Sequence, residues 1–205
     1  MGATIGQALR FGIARGLFSN EAGLGSATFA HGTAKVDHPT KQGLAGIVDV
    51  FIDTIVVCTI TGLSIVATGV YASHQQLTGA QLAQEAFAQA WGHVGPIMIA
   101  ICIVLFAFST ILGWSYYGRQ SLLHIVRTVV SEKKFARVYR ATCLIYNTIF
   151  VVVVFLGSIF ALEIVWSFSD LANGLMAITS LIGVLGMAKV VKRLSNEGFR
   201  EKGPK

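Results

Sequence analysis

Ser19-Asn20-Glu21-Ala22-Gly23-Leu24-Gly25-Ser26-Ala27 is a knot of small and polar residues that follows directly on apolar Leu17 and Phe18. Gly23 and Gly25 let the backbone leave helix geometry at little steric cost. Ser19, Asn20 and Glu21 bring oxygen ligands and one ionisable group. A polar, pliable interruption beside long apolar runs asks what surrounds it, and the rest of the chain answers.

The chain has 205 residues, of which 54% are hydrophobic and 13% charged. A soluble domain carries about 25% charged residues, so this composition reads as an all-α integral membrane protein. Four apolar segments reach the ~20 residues that a helix needs to cross a bilayer. They lie at roughly 44–72, 95–118, 141–162 and 169–188, the third holding the run from Ile149 to Leu156. Residues 1–43 precede them as an interrupted or re-entrant helix and a cytoplasmic loop. Residues 189–205 follow as a basic cytoplasmic tail, whose Gly203-Pro204-Lys205 end is expected to fray.

The net charge of +6 could suggest nucleic acid, but its placement argues otherwise. Arg10, Arg15, Lys35 and Lys41 precede the first span. A second group, from Arg119 to Arg140, separates spans two and three, and a third follows span four. The connections 73–94 and 163–168 hold no Lys or Arg. Four spans put all three basic groups on one side, which the positive-inside rule makes cytoplasmic. A multi-pass plasma-membrane protein with a cytoplasmic C-terminus is expected, in contact with lipid and not with nucleic acid, whose recognition needs basic residues on one folded face. No basic leader opens the chain, so no signal peptide is expected.

Enzyme chemistry has no foothold. Cys58, Cys102 and Cys143 lie in separate apolar runs without disulfide or metal spacing. The five histidines are scattered, Gly23-Leu24-Gly25 lacks a following Lys-Ser/Thr, and no nucleophile elbow is present. No cofactor is expected.

Two connections are amphipathic. In 73–94, Leu82, Ala86, Phe87, Ala90 and Trp91 recur at helical spacing, which predicts a short helix on the outer surface, either packing there or covering a substrate path. In 119–140, Leu122, Leu123, Val126 and Val130 alternate with basic residues, which predicts a cytoplasmic interfacial helix drawn to anionic lipid. Ser167 with Asp170 resembles a capping box at the head of the fourth span.

Polar groups inside the membrane are costly and are therefore functional candidates. Asp49 and Asp53 share one helix face, and Asp53 lies a turn deeper, as half of a structural pair or as part of an ion or substrate pathway. Ser109 and Thr110 sit together near mid-span. They can bond back to their own helix, or coordinate a small hard cation through oxygen. Asn147 and Asn173 read as interhelical hydrogen-bonding groups.

Several stretches resemble, in order, the signatures of the sodium:alanine (amino acid carrier) symporter family. They are Arg15 to Ala27, Asp37-His38-Pro39 with Lys41-Gln42-Gly43, Phe51-Ile52-Asp53-Thr54, Ser109 to Gly118, and Asn173 to Ile178. The resemblance covers the chain up to about Met187. It implies the leucine-transporter (LeuT) type of fold, two inverted five-helix repeats with substrate held between two interrupted helices. It implies sodium-coupled symport of a small neutral amino acid of the alanine or glycine type, with sodium as co-transported ion. This chain resembles the C-terminal portion only, one interrupted helix plus four spans. It is therefore expected to be a fragment of a longer carrier, either truncated or split, the split case giving it a separately encoded N-terminal half as a partner. Three positions depart from the family pattern: Thr28-Phe29, Arg119 and Thr179-Ser180, the last standing in place of Pro-Asn, so that a helix break is expected to be lost there.

Under the resemblance, residues 3–18 and 24–34 are half-helices joined by unwound Ser19 to Gly23. The second then presents free N–H groups at Gly23 to Ser26. Substrate-binding residues are expected at Ser19, Asn20, Glu21, Gly23, Gly25 and Ser26, and sodium ligands at Ser109 and Thr110. Glu21 either rests on the helix dipole or balances a substrate ammonium or a sodium ion. A competing placement puts all of 1–43 in the cytoplasm as a gate. A competing function is a four-helix membrane interaction or scaffold protein without transport.

Overall fold

The computed structural model describes residues 2–200, and every regular element among them is helical. Helix α1 (Gly2–Asn20) is followed by a short α2 (Thr28–His31). The next helix, α3 (Pro39–Phe51), runs through a π-helical stretch (Ile52–Val57) into α4 (Cys58–Thr68). Short α5 (Val70–Ser73) and α6 (Gly79–Trp91) lead to the long α7 (Val94–Val129), α8 (Glu132–Ile159) and α9 (Leu162–Arg200).

Four stretches are long and apolar enough to cross a membrane: Pro39–Thr68, Val94–Val129, Glu132–Ile159 and Leu162–Arg200. Their side chains confirm the solvent they need. Val104, Phe106, Val151 and Phe155 are each about two-thirds exposed, at 66%, 64%, 66% and 64%. Water would penalise such a surface and lipid does not. The chain is an integral membrane protein.

Helix starts and stops follow local chemistry. Pro39 opens α3, where its fixed φ suits the first helical position and its missing N–H costs nothing. His38 caps that end, its Nδ1 accepting the Thr40 N–H at 3.2 Å. Gly69 closes α4 in the left-handed region at φ +68°.

The chain divides into two compact units, residues 1–48 with 115–205, and residues 49–114. In the second unit α4 packs on α6. Val70 is fully buried, Ala86 and Phe87 are buried, and Phe87 meets Trp91 edge to face at 5.5 Å. The amphipathic helix expected in 73–94 is α6. In the first unit α9 is the common neighbour. The Thr40 hydroxyl of α3 donates to the Leu194 carbonyl at 3.0 Å. A Cβ on Gly198 would strike His38 and Thr40, so glycine sets that approach.

Several expectations are corrected. The interfacial helix expected over 119–140 is not a separate element. With no Gly or Pro between Arg119 and Val129 to stop it, α7 runs on to Val129. A two-residue gap follows, and α8 starts at Glu132, nine residues before the expected third span. The fourth span starts at Leu162, so Ser167 and Asp170 lie inside α9 and form no capping box. The Ser167 hydroxyl instead donates back to the Glu163 carbonyl at 2.8 Å. The second half-helix, expected over 24–34, is confined to Thr28–His31, because Gly25 still holds a left-handed φ of +82°. Residues 189–200 of the expected tail are helical, because α9 runs on to Arg200; it passes unbroken through Thr179 and Ser180, in line with the expected loss of a break there. The Gly203-Pro204-Lys205 end lies outside the described residues.

Candidate functional site

The interruption after α1 is built from three left-handed residues. Glu21 has φ +54°, Gly23 +83° and Gly25 +82°. Glycine adopts this region freely, whereas a residue with a Cβ such as Glu21 pays about 1–2 kcal/mol. Local hydrogen bonds offset that cost. The Asn20 side-chain Oδ1 accepts the Ala22 N–H at 2.8 Å. The Glu21 carbonyl accepts the Leu24 N–H at 3.1 Å. The Ser26 hydroxyl donates to Glu21 Oε2 at 2.7 Å.

Ser26 is the buried member of this cluster, 3% exposed, and Leu24 beside it is 5% exposed. Glu21 is half-buried. A carboxylate that takes a charge-assisted bond from a buried hydroxyl is held in one orientation. The segment leaves through the Thr28 hydroxyl, which donates to the Gly25 carbonyl at 2.5 Å, and the Phe29 N–H, which donates to the Ser26 carbonyl at 3.1 Å. Phe29 stacks on Tyr117 of α7 at 5.9 Å.

Two further contacts position the segment, and both come from α9. A Cβ on Gly25 would lie 3.2 Å from the Ser180 hydroxyl oxygen, so the unwound backbone runs close against that helix. One turn before the break, Arg15 grips Asp170. Its Nη1 and Nη2 donate to the two carboxylate oxygens at 2.7 and 2.9 Å. The guanidinium also lies 3.7 Å from the Trp166 ring centroid, and Phe18 meets the same ring edge-on at 5.2 Å.

The structure therefore brings Asn20, Glu21 and Ser26 together, with Gly23 and Gly25 as the residues that allow the turn. Ser19 lies in the last turn of α1 and is exposed. Chemically, the cluster offers a carboxylate that can meet an ammonium group, beside a stretch of irregular backbone.

Asp53, Ser109 and Thr110 belong to the other unit, residues 49–114. Asp53 is half-buried in the π-helical stretch, with the Thr54 hydroxyl 3.4 Å from its Oδ2. Such widened turns recur at functional positions. Ser109 and Thr110 are exposed on α7, and the Ser109 hydroxyl donates to the Phe106 carbonyl at 2.9 Å. A hydroxyl that donates its proton in this way keeps its lone pairs for a cation.

Arg15, Trp166 and Ser180 were missed as site residues. Arg15 read as a topological charge, and no local spacing links it to a residue 155 positions away.

Comparison with known proteins gives a consistent answer. The family model for the Sodium:alanine symporter family matches residues 1–203. The chain is 45% identical over 192 residues to the sodium/alanine symporter AgcS of Methanococcus maripaludis, covering 93% of this chain and 40% of that protein. It is 36% identical over 200 residues to the amino-acid carrier protein AlsT of Bacillus subtilis, covering 98% of this chain and 38% of that protein. The probable sodium/glutamine symporter GlnT of the same organism is 36% identical over 201 residues, with 98% and 40% covered. The chain thus spans about two fifths of the length of the relatives it matches. An all-helical membrane protein with a broken helix, matched over nearly its whole length, belongs to the sodium:alanine symporter family.

Proposed function

We propose that this chain works in sodium-coupled symport of a small neutral amino acid of the alanine or glycine type, and that the 19–26 segment forms one wall of the substrate site. The observation that carries the reading is the Ser26–Glu21 hydrogen bond across the helix break. It holds a carboxylate where a substrate ammonium can pair with it, beside backbone freed from helix bonding. Ser19, Asn20, Gly23 and Gly25 complete that wall.

Sodium is assigned to the hydroxyls of Ser109 and Thr110, and Asp53 to the pathway. No organic cofactor enters, since the chemistry is binding and release. The fold is read as the LeuT type of inverted repeats, with α1 and α2 as the broken helix of the second repeat and four spans after it. The opposing wall then comes from a segment outside the matched two fifths, which a separate N-terminal polypeptide can supply. Sodium binding favours the outward-facing state that takes substrate, and release inside reverses the bias. The positive-inside rule puts the basic ends and the C-terminus in the cytoplasm.

The test is uptake of labelled alanine into proteoliposomes under a sodium gradient. The chain is assayed alone and together with the N-terminal half of a family carrier. Sodium-dependent uptake with both parts supports the reading. No uptake in either case overturns the carrier assignment, and full uptake by the chain alone overturns the two-walled site.

A further inference from the structure

From Ser115 on, α7 forms an antiparallel hairpin with the N-terminal half of α8, and its register is fixed at two places. A Cβ on Gly118 would overlap the Tyr146 hydroxyl. Nearer the tip, the Arg127 guanidinium lies 5.6 Å from the Phe135 ring centroid. Phe135 in turn stacks on Tyr139, with centroids 5.7 Å apart and planes at 4°. Arg119 sits one residue past the Gly118 contact, and its charge reaches both Tyr139 and Tyr146.

Arg119 has an unmet need. Its Nε is buried and has no hydrogen-bond partner. A buried guanidinium N–H without an acceptor is costly, since the desolvation is not returned. The three ion pairs among the described residues involve neither Arg119 nor Arg127. Between positions 119 and 140 the sequence has one acidic residue, Glu132, against six Lys or Arg. Glu132 is exposed at the head of α8, where the helix dipole favours it. The hairpin therefore lacks counter-charge of its own.

We propose that the phosphate of an anionic membrane lipid docks on this hairpin, with Arg119 and Arg127 as its charged ligands. The guanidinium fork matches two phosphate oxygens. The hairpin joins two helices of membrane-spanning length, so its basic stretch lies where they leave the hydrocarbon. One turn past Arg140, Leu144 and Ile145 of α8 are 69% and 61% exposed, an apolar track for acyl chains. A soluble phosphate would leave that track unused, so the lipid is the source chosen.

The proposal stands apart from the transport reading and is tested without it. The purified chain in neutral detergent is titrated with phosphatidylglycerol, phosphatidylcholine or inorganic phosphate, with binding read by native mass spectrometry and folding by thermal melting. Phosphatidylglycerol is expected to bind and to raise the melting temperature, and the other two are not. Arg119→Gln weakens phosphatidylglycerol binding roughly fivefold, whereas Lys192→Gln in the exposed C-terminal turns of α9 leaves it unchanged. Should Arg119→Gln fail to fold, Arg119→Lys retains the charge, loses Nε, and is expected to fold and bind more weakly than wild type. Phosphatidylglycerol binding insensitive to both Arg119 variants, or equal stabilisation by inorganic phosphate, overturns the proposal.

Discussion

Arg15 and Asp170 lie 155 residues apart and meet through two parallel hydrogen bonds of 2.7 and 2.9 Å. Their side chains are 30% and 44% exposed, so the pair is half-screened. Its place matters more than its strength. It ties the end of α1 to α9 one turn before the helix breaks, while Trp166 stacks beneath the guanidinium.

Breaking that tie should loosen the unwound segment. Asp170→Asn is expected to lower stability by about 1 kcal/mol, the upper range for a partly exposed pair. Arg15→Lys should cost a similar amount despite keeping the charge, because lysine has no bidentate fork and stacks less well on Trp166. Denaturant unfolding in detergent measures both. Equal stability of Arg15→Lys and wild type would show that the geometry contributes nothing.

Gly23 and Gly25 should respond differently to the same substitution. Both hold φ near +80°, so alanine at either costs about 1–2 kcal/mol in backbone strain. Only Gly25 has a neighbour, the Ser180 hydroxyl at 3.2 Å from the new Cβ. Adding Ser180→Gly should therefore recover part of the Gly25→Ala loss and none of the Gly23→Ala loss. The check is melting temperature across the four variants.

The broken helix was legible in the sequence because its cause is local. Two glycines, an asparagine able to cap, and flanking apolar residues force the turn wherever it is placed. The four spans were legible for the same reason, since hydropathy is a property of contiguous residues. The ends of the helices were not. The capping pattern at Ser167 and Asp170 looked sound, but Asp170 found a stronger partner across space in Arg15. Amphipathicity in 119–140 was real, yet periodicity alone does not tell a separate surface helix from the continuation of a long one. Ser180 drew notice only as a departure from a pattern. Its position against Gly25 depends on how α9 packs, which no window of sequence contains.

Sodium dependence should test the α7 hydroxyls. In a carrier active with this chain, Ser109→Ala combined with Thr110→Ala is expected to raise the sodium concentration for half-maximal uptake at least about tenfold, the loss of some 1.4 kcal/mol in ion binding. Helicity should not change, because the Ser109 hydroxyl only bonds back to Phe106. Unaltered sodium dependence removes both residues from the ion site.

The loop before α3 offers a pH measurement outside the membrane. Lys41 Nζ stands 2.5 Å from Asp37 Oδ2 and holds that carboxyl below the usual carboxylate range, by hydrogen bond first and charge second. A depressed pKa means that the pair's contribution is present above the unfolded value and is lost as pH falls through the folded one. Lys41→Met should raise the Asp37 carboxyl back into the ordinary carboxylate range, followed by carboxyl-carbon NMR. Both groups are exposed, so solvent screening keeps that contribution too small to shift the melting temperature measurably at neutral pH.

The most direct test of the substrate wall is equilibrium alanine binding, in saturating sodium, by a carrier containing this chain with Glu21→Gln. Glutamine retains an oxygen to accept the Ser26 hydroxyl and so preserves the turn, while the negative charge is gone. The expected result is alanine binding weakened about tenfold or more, with melting temperature unchanged. Binding equal to that of the wild type would contradict the assignment of the broken segment as the wall that meets the substrate ammonium.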